Sequence, residues 1–129
     1  LALFQEAGDK KGEGRAQLAV GAAQLAGDAH DDAVEAAKSA LDCFKAAADR
    51  KLEVAALDLS ALAQLMKERP QLAFEAATQA LSVSREIKYG KGEATALTTM
   101  VHTCLQKGDS KKALLLAEQG LERFKSAGD

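Results

Sequence analysis

The chain repeats itself every forty residues. Leu1, Leu41, Leu81 and Leu121 share one column of that register, and Lys11, Lys51 and Lys91 share another. Glu13, Glu53 and Glu93 follow the same step, as do Ala16, Ala56 and Ala96, and Leu25, Leu65 and Leu105. Ala33, Ala73 and Ala113 agree, then Ala37, Ala77 and Ala117. Stacking residues 1–40, 41–80 and 81–120 without a gap therefore gives seven identical columns. Chance at this composition gives about one or fewer. Phe4, Phe44 and Phe124 keep the step too, with Ser84 in the intervening slot. A period of this size marks units too small to bury their own apolar faces, which close a core only against neighbours. The expected organisation is one domain over 1–129, with repeats at about 1–40, 41–80 and 81–120 and with 121–129 completing the last helix. The opening Leu1-Ala2-Leu3-Phe4 reads as the tail of a helix, so an excerpt of a longer chain is expected.

Each period carries two helical segments. The chain holds 28 alanines and one proline, and only 4% of its residues are aromatic. Alanine is the best helix former, whereas sheets favour β-branched and aromatic residues. Gly12, Leu52 and Gly92 open a first helix, with Glu13, Glu53 or Glu93 in its first turn beside exposed backbone N–H groups. That helix is expected to end near Ala26, Met66 and Gln106. The second runs from about His30, Pro70 and Ser110 to Ala47, Ile87 and Ser126, with Pro70 suited to a first helical turn. Gly8-Asp9, Gly27-Asp28, Ala48-Asp49, Tyr89-Gly90, Gly108-Asp109 and Gly128-Asp129 mark the breaks.

The apolar residues of the second helices fall at spacings of three and four. Ala33, Val34, Ala37, Ala40, Leu41 and Phe44 form one such stripe, matched by Ala73, Phe74, Ala77, Ala80 and Leu81. Small residues in these stripes let helix axes approach closely. No period-two segment competes, so the fold class is all-α.

These residues resemble the tetratricopeptide repeat in its long form of about forty residues. The third period reads Gly92-Glu93-Ala94-Thr95-Ala96-Leu97, then Gly108-Asp109, then Ala113 and Ala117. The first reads Gly8-Asp9, Gly12-Glu13, Ala16, Gly21, Gly27-Asp28, Ala33, Ala37 and Ala40. The likeness spans essentially the whole chain. It departs from the shorter signature: Gln24, Gln64 and Cys104 stand in the aromatic slot, and Ala37, Ala77 and Ala117 in the Phe slot. The resemblance implies a right-handed superhelical solenoid of stacked antiparallel helical hairpins, whose first helices line a concave groove for a peptide or partner helix. Carried across residue by residue, the inward positions are Arg15, Leu18, Ala22 and Leu25, then Ala55, Asp58, Leu62 and Leu65, then Thr95, Thr98, His102 and Leu105. The candidate partner contacts are Arg15, Asp58, Leu62, Thr95, Thr98 and His102. Such a groove is mixed in charge and holds no clamp of several Lys and Arg residues.

Chemistry is sparse elsewhere. His30 and His102 have no Cys or second His at metal-ligand spacing. His30, beside Asp31-Asp32, reads as part of a solvated turn. Cys43 and Cys104 lack a CxxC arrangement and read as small buried hydrophobes. Tyr89 to Thr95 is glycine-rich but lacks the phosphate-loop spacing and a preceding strand. Asp28, Asp31 and Asp32 have no EF-hand spacing, and Glu53 and Glu93 recur by symmetry rather than as a catalytic pair. Lys111-Lys112 is a solvated face.

With 17 basic and 19 acidic side chains the net charge is −2, and non-specific nucleic-acid binding wants a basic surface. No run approaches the roughly 20 apolar residues of a membrane span, and no signal peptide opens the chain. The expected role is a non-catalytic protein-interaction scaffold or adaptor, with no metal or cofactor, binding another protein or peptide. The alternative is a structural subunit held within a larger multi-protein assembly, membrane-associated ones included. Two unpaired cysteines suit an intracellular compartment, whether cytoplasm or an organelle interior.

Overall fold

The structure, a computed structural model, describes residues 2–128 and the side chains of 5–127. Six helices follow one another: α1 (Ala2–Ala26), α2 (His30–Ala46), α3 (Arg50–Met66), α4 (Pro70–Glu86), α5 (Gly90–Gln106) and α6 (Ser110–Gly128). No strand occurs among the described residues, and the fold is all-α. Leu1 and Asp129, expected within a helix tail and a closing turn, lie outside the described residues.

From α2 onward the start and end of each helix agree with the spacing of the turn residues to within about a residue, save the end of α6 and the starts of α3 and α5, which begin at Arg50 and Gly90, two residues before the expected Leu52 and Gly92. The connections are residues 27–29, 47–49, 67–69, 87–89 and 107–109. Each places its middle residue in the left-handed region: Asp28 at φ 64°, Ala48 at 56°, Glu68 at 59°, Lys88 at 55° and Gly108 at 81°. The backbone then closes twice over each helix end. The Ala48 N–H donates to the Lys45 carbonyl at 3.1 Å and the Asp49 N–H to the Phe44 carbonyl at 3.0 Å. The same pair recurs at Lys88 and Tyr89, and at Gly108 and Asp109. This is the Schellman arrangement, which satisfies orphan carbonyls at a helix end. Only position 108 carries the glycine that suits it. Gly27, expected to break the chain, precedes the left-handed position by one residue, and Asp28 occupies it instead. Entry into the next helix is capped at two places. The Asp49 carboxylate accepts from the Leu52 N–H and the Asp109 carboxylate from the Lys112 N–H, both at 3.1 Å.

One sequence expectation fails here. Gly8-Asp9 was to end a helix and Gly12 to open another, but α1 runs unbroken through both. Gly8 lies in register with the five turn residues but stays helical, at about 1 kcal/mol per internal glycine. Glu13 consequently sits mid-helix, exposed, beside Lys10 at 3.2 Å, rather than in a first turn.

Neighbouring helices pack in succession, and the short connections make each pair antiparallel. In addition α1 touches α3 and α3 touches α5, whereas α2, α4 and α6 make no such contacts with one another. The repeated alanines sit where helices meet. Ala33, Ala73, Ala77, Ala56 and Ala96 are fully buried. Ala56 clusters with Ala40 and Phe44 of α2, and Ala63 with Ala33 and Val34. Phe44 is fully buried against α1, which carries Gly14 with no side chain opposite it. A Cβ on Gly14 would stand 2.6 Å from Phe44 Cε1.

The register fixes identity, but burial depends on the neighbour. Ala16 shares a column with Ala56 and Ala96 yet is exposed, since no described helix covers that face of α1. Likewise Leu121 is 57% exposed where its equivalent Leu81 is buried.

The repeated lysines also have a structural use. Lys11 of α1 pairs with Asp49, in the turn before α3, at 3.1 Å. Lys51 of α3 lies over the Tyr89 ring, in the turn before α5, at 4.7 Å. In both cases the column lysine reaches the turn that introduces the next odd-numbered helix.

Candidate functional site

Because α3 and α5 lie side by side, residues at helical spacing on each face a common space. An open hollow of about 480 Å³ lies between them. From α3 it is lined by Asp58, Leu59 and Leu62, and from α5 by Ala94, Thr95, Thr98, Thr99 and His102. Five of the six sequence-derived contact residues thus meet on one surface: Asp58, Leu62, Thr95, Thr98 and His102. Arg15 does not join them; it is exposed on α1 and does not line the hollow. Two further inward positions of α1 are spent on the core: Leu18 packs against Ala40, Phe44 and Ala56, and Leu25 against Ala33, Val34 and Ala63.

The threonines are fixed by their own helix. The hydroxyls of Thr95, Thr98 and Thr99 donate to the carbonyls of Lys91, Ala94 and Thr95 at 3.0, 2.9 and 3.1 Å. Each hydroxyl proton is thereby committed to the backbone four residues earlier, and the oxygen keeps its acceptor capacity. Asp58 is part-buried on α3, and among the described residues no donor reaches its carboxylate. Burial alone pushes its pKa from 3.8 to about 6, because a charge withdrawn from water favours its neutral form. No Lys or Arg side chain lines the hollow.

Reasoning from the repeat missed Leu59, Ala94 and Thr99. A signal for Thr99 was present, since it stands four residues after Thr95 and therefore on the same face. Leu59 carried none: its column holds Ala19 and Thr99, and nothing in that set distinguishes lining from packing.

Two acids expected only as helix-start residues are more deeply engaged. Glu53 is buried beside Arg50 of its own helix at 3.1 Å, and Arg50 also pairs with Glu86 of α4. Glu93 of α5 is buried between Arg85 of α4, at 3.0 Å, and Arg123 of α6. Burial opposes ionisation of Glu93, but the two guanidinium groups outweigh it and hold its pKa below the usual value. These pairs clamp consecutive helices. Arg85, Glu93 and Arg123 also line a larger hollow of about 760 Å³, together with Lys88 and Glu122. A third, mostly apolar cleft of about 330 Å³ separates α5 from α6.

Cys43 and Cys104 are both buried and unpaired, as their reading as small hydrophobes requires. His30 differs from its expected solvated state: its side chain is 17% exposed, with Nε2 4.0 Å from Asp28. Among the described residues no three His, Cys, Asp or Glu side chains gather as a metal site would need. No helix among them is long and apolar enough to cross a membrane. Comparison of the chain with protein-family models, with curated proteins and with solved structures finds no match.

Proposed function

We propose that the chain is a non-catalytic interaction scaffold, a right-handed superhelical array of helical hairpins that resembles the tetratricopeptide repeat. In this reading α1, α3 and α5 form its inner side, which receives a peptide or helix of another protein. The contacts of α3 with α1 and α5, without counterparts among the even-numbered helices, support that curvature. The observation that carries the reading is the hollow that gathers Asp58, Leu62, Thr95, Thr98 and His102.

Binding rather than turnover suits this set. The hydroxyls are hydrogen-bonded to their own helix, and the lone acid has no nucleophile or second acid beside it in the hollow. Residues carried on two packed helices are held in place before a partner arrives, so little ordering entropy opposes association on this side. The affinity then comes from covering Leu59 and Leu62 and from matching the polar groups around them.

A second reading, a structural subunit clamped in a larger assembly, draws on the exposed leucines of α6. Leu114, Leu115 and Leu121 of α6 are 60%, 53% and 57% exposed, and neighbouring exposed leucines favour a covering partner. Site-specific photo-cross-linking in the native source separates the two. The scaffold reading expects a cross-linker at Thr98 to capture one protein and a cross-linker at Lys38, exposed on α2, to capture none. Capture from Leu115 alone would overturn it in favour of the subunit.

A further inference from the structure

The hollow between α3 and α5 has one-sided hydrogen-bonding chemistry. Thr95, Thr98 and Thr99 have given their protons to backbone carbonyls, so their oxygens only accept. Asp58 adds a carboxylate, an acceptor at every lone pair when ionised. Against these stands a single side chain able to donate, His102. The surface is thus rich in acceptors, poor in donors and free of cationic lining, with Leu59 and Leu62 as its apolar wall.

We infer that this hollow receives an arginine side chain presented by the partner protein, its guanidinium on the Asp58 carboxylate and its methylene stem along Leu59 and Leu62. The inference rests on the scaffold reading and adds the chemistry of what the groove holds. Arginine fits on three counts. Its guanidinium has five N–H donors and no acceptor, the complement of this lining. The planar fork can meet a carboxylate through two parallel bonds. Being less strongly hydrated than an ammonium, it loses less on entering a part-buried site, while its stem covers apolar surface. Asp58 supplies the reason for binding. In the free protein burial works against its charge, and a cation beside it relieves that cost.

The test uses the full chain, isotopically labelled, titrated with an acetylated and amidated pentapeptide of sequence Ala-Leu-Arg-Leu-Ala and followed by amide chemical shifts. Saturable shifts are expected at Asp58, Leu62, Thr95 and Thr98. Replacing the peptide's arginine by citrulline, neutral and nearly isosteric, should weaken binding roughly tenfold or more, and so should Asp58→Asn in the protein. Thr98→Val, which keeps the side-chain shape and removes one acceptor, should weaken it by a smaller factor. Circular dichroism of both variants establishes that they remain folded. Equal binding of the citrulline peptide, equal binding by Asp58→Asn, tighter binding of a lysine peptide, or no saturable shifts at these residues would each overturn the inference. Capture of a partner from Thr98 alongside an unaffected Asp58→Asn variant removes this inference and leaves the scaffold. Failure at Thr98 with peptide shifts scattered away from the hollow removes both.

Discussion

Asp58 makes the chain less stable wherever it is ionised, and replacing it measures by how much. Its folded pKa of about 6 lies above the ordinary 3.8, so between those values the native state holds more protons than the unfolded chain. Stability therefore falls as pH rises through that window and stays at the lower level above it. The shift is about two units at about 1.4 kcal/mol each, or just under 3 kcal/mol if taken whole. The hollow is open to solvent, which relaxes part of this, so about 1–3 kcal/mol is the range to expect. Asparagine keeps the size and nearly the helix propensity of aspartate without the charge. Asp58→Asn should thus be more stable than the parent by that amount at pH 8, and should match it near pH 3.5. Urea unfolding followed by far-UV circular dichroism, repeated across the pH range with the slope checked for constancy, gives the difference. All other ionisable groups are present in both proteins, so the comparison isolates Asp58. A variant less stable at pH 8, or a difference that does not change with pH, would refute the claim that burial strains this carboxylate.

Five further substitutions probe the turns, α1 and the ion pairs by the same unfolding assay. Ala48 holds φ at 56° and Gly108 at 81°, so Ala48→Gly should stabilise and Gly108→Ala destabilise, each by about 1 kcal/mol; the reverse signs would contradict the left-handed turns. Gly8 is helical and open, so Gly8→Ala should stabilise by about 0.5–1 kcal/mol. Gly14→Ala, with its Cβ 2.6 Å from Phe44, should cost about 1–3 kcal/mol instead. A loss at Gly8 as large as that at Gly108 would restore the turn that α1 lacks. Glu93→Gln should cost about 1–3 kcal/mol at neutral pH by leaving Arg85 and Arg123 without their carboxylate. Because the Glu93 pKa is lowered, its contribution is present above the ordinary carboxylate range and fades as pH falls through the folded value. The variant should accordingly show a flatter acid limb, and an unchanged limb would assign the acid sensitivity elsewhere.

How much of this was legible in the sequence differs residue by residue. The helix ends at Ala26, Met66 and Gln106 and the starts at His30, Pro70 and Ser110 could be read from the register, because turn residues and helical stripes repeat together. Gly8-Asp9 misled for the same reason. It has the residues of a turn, but a turn is worth forming only where a helix folds back to pack, and α1 extends instead. The left-handed sites at Ala48, Glu68 and Lys88 were illegible. Each costs about 1–2 kcal/mol for a residue with a Cβ, and the double backbone closure and the packing of both flanking helices over-determine them. The burial of Glu53 and Glu93 was hidden too, since it depends on arginines whose proximity only the packing reveals.

The columns that meet at the hollow are constructed differently from the core columns. Where helices touch, the repeat holds one residue constant: Ala33, Ala73 and Ala113, or Ala56 and Ala96, because a larger side chain would push two axes apart. Along α1, α3 and α5 the same register reads Arg15, Ala55 and Thr95, then Leu18, Asp58 and Thr98, then Ala22, Leu62 and His102. These three columns vary, whereas Leu25, Leu65 and Leu105, the remaining one of the set, repeat. Interaxial distances therefore follow from the residues that recur, and the hydrogen-bonding character of the hollow from those that do not. Asp58 marks the division most sharply. Leu18, one repeat earlier, joins the apolar cluster with Phe44, whereas the same position in α3 carries a carboxylate with no donor in reach. The period discloses the frame, and Asp58 is one of the places where the sequence departs from it.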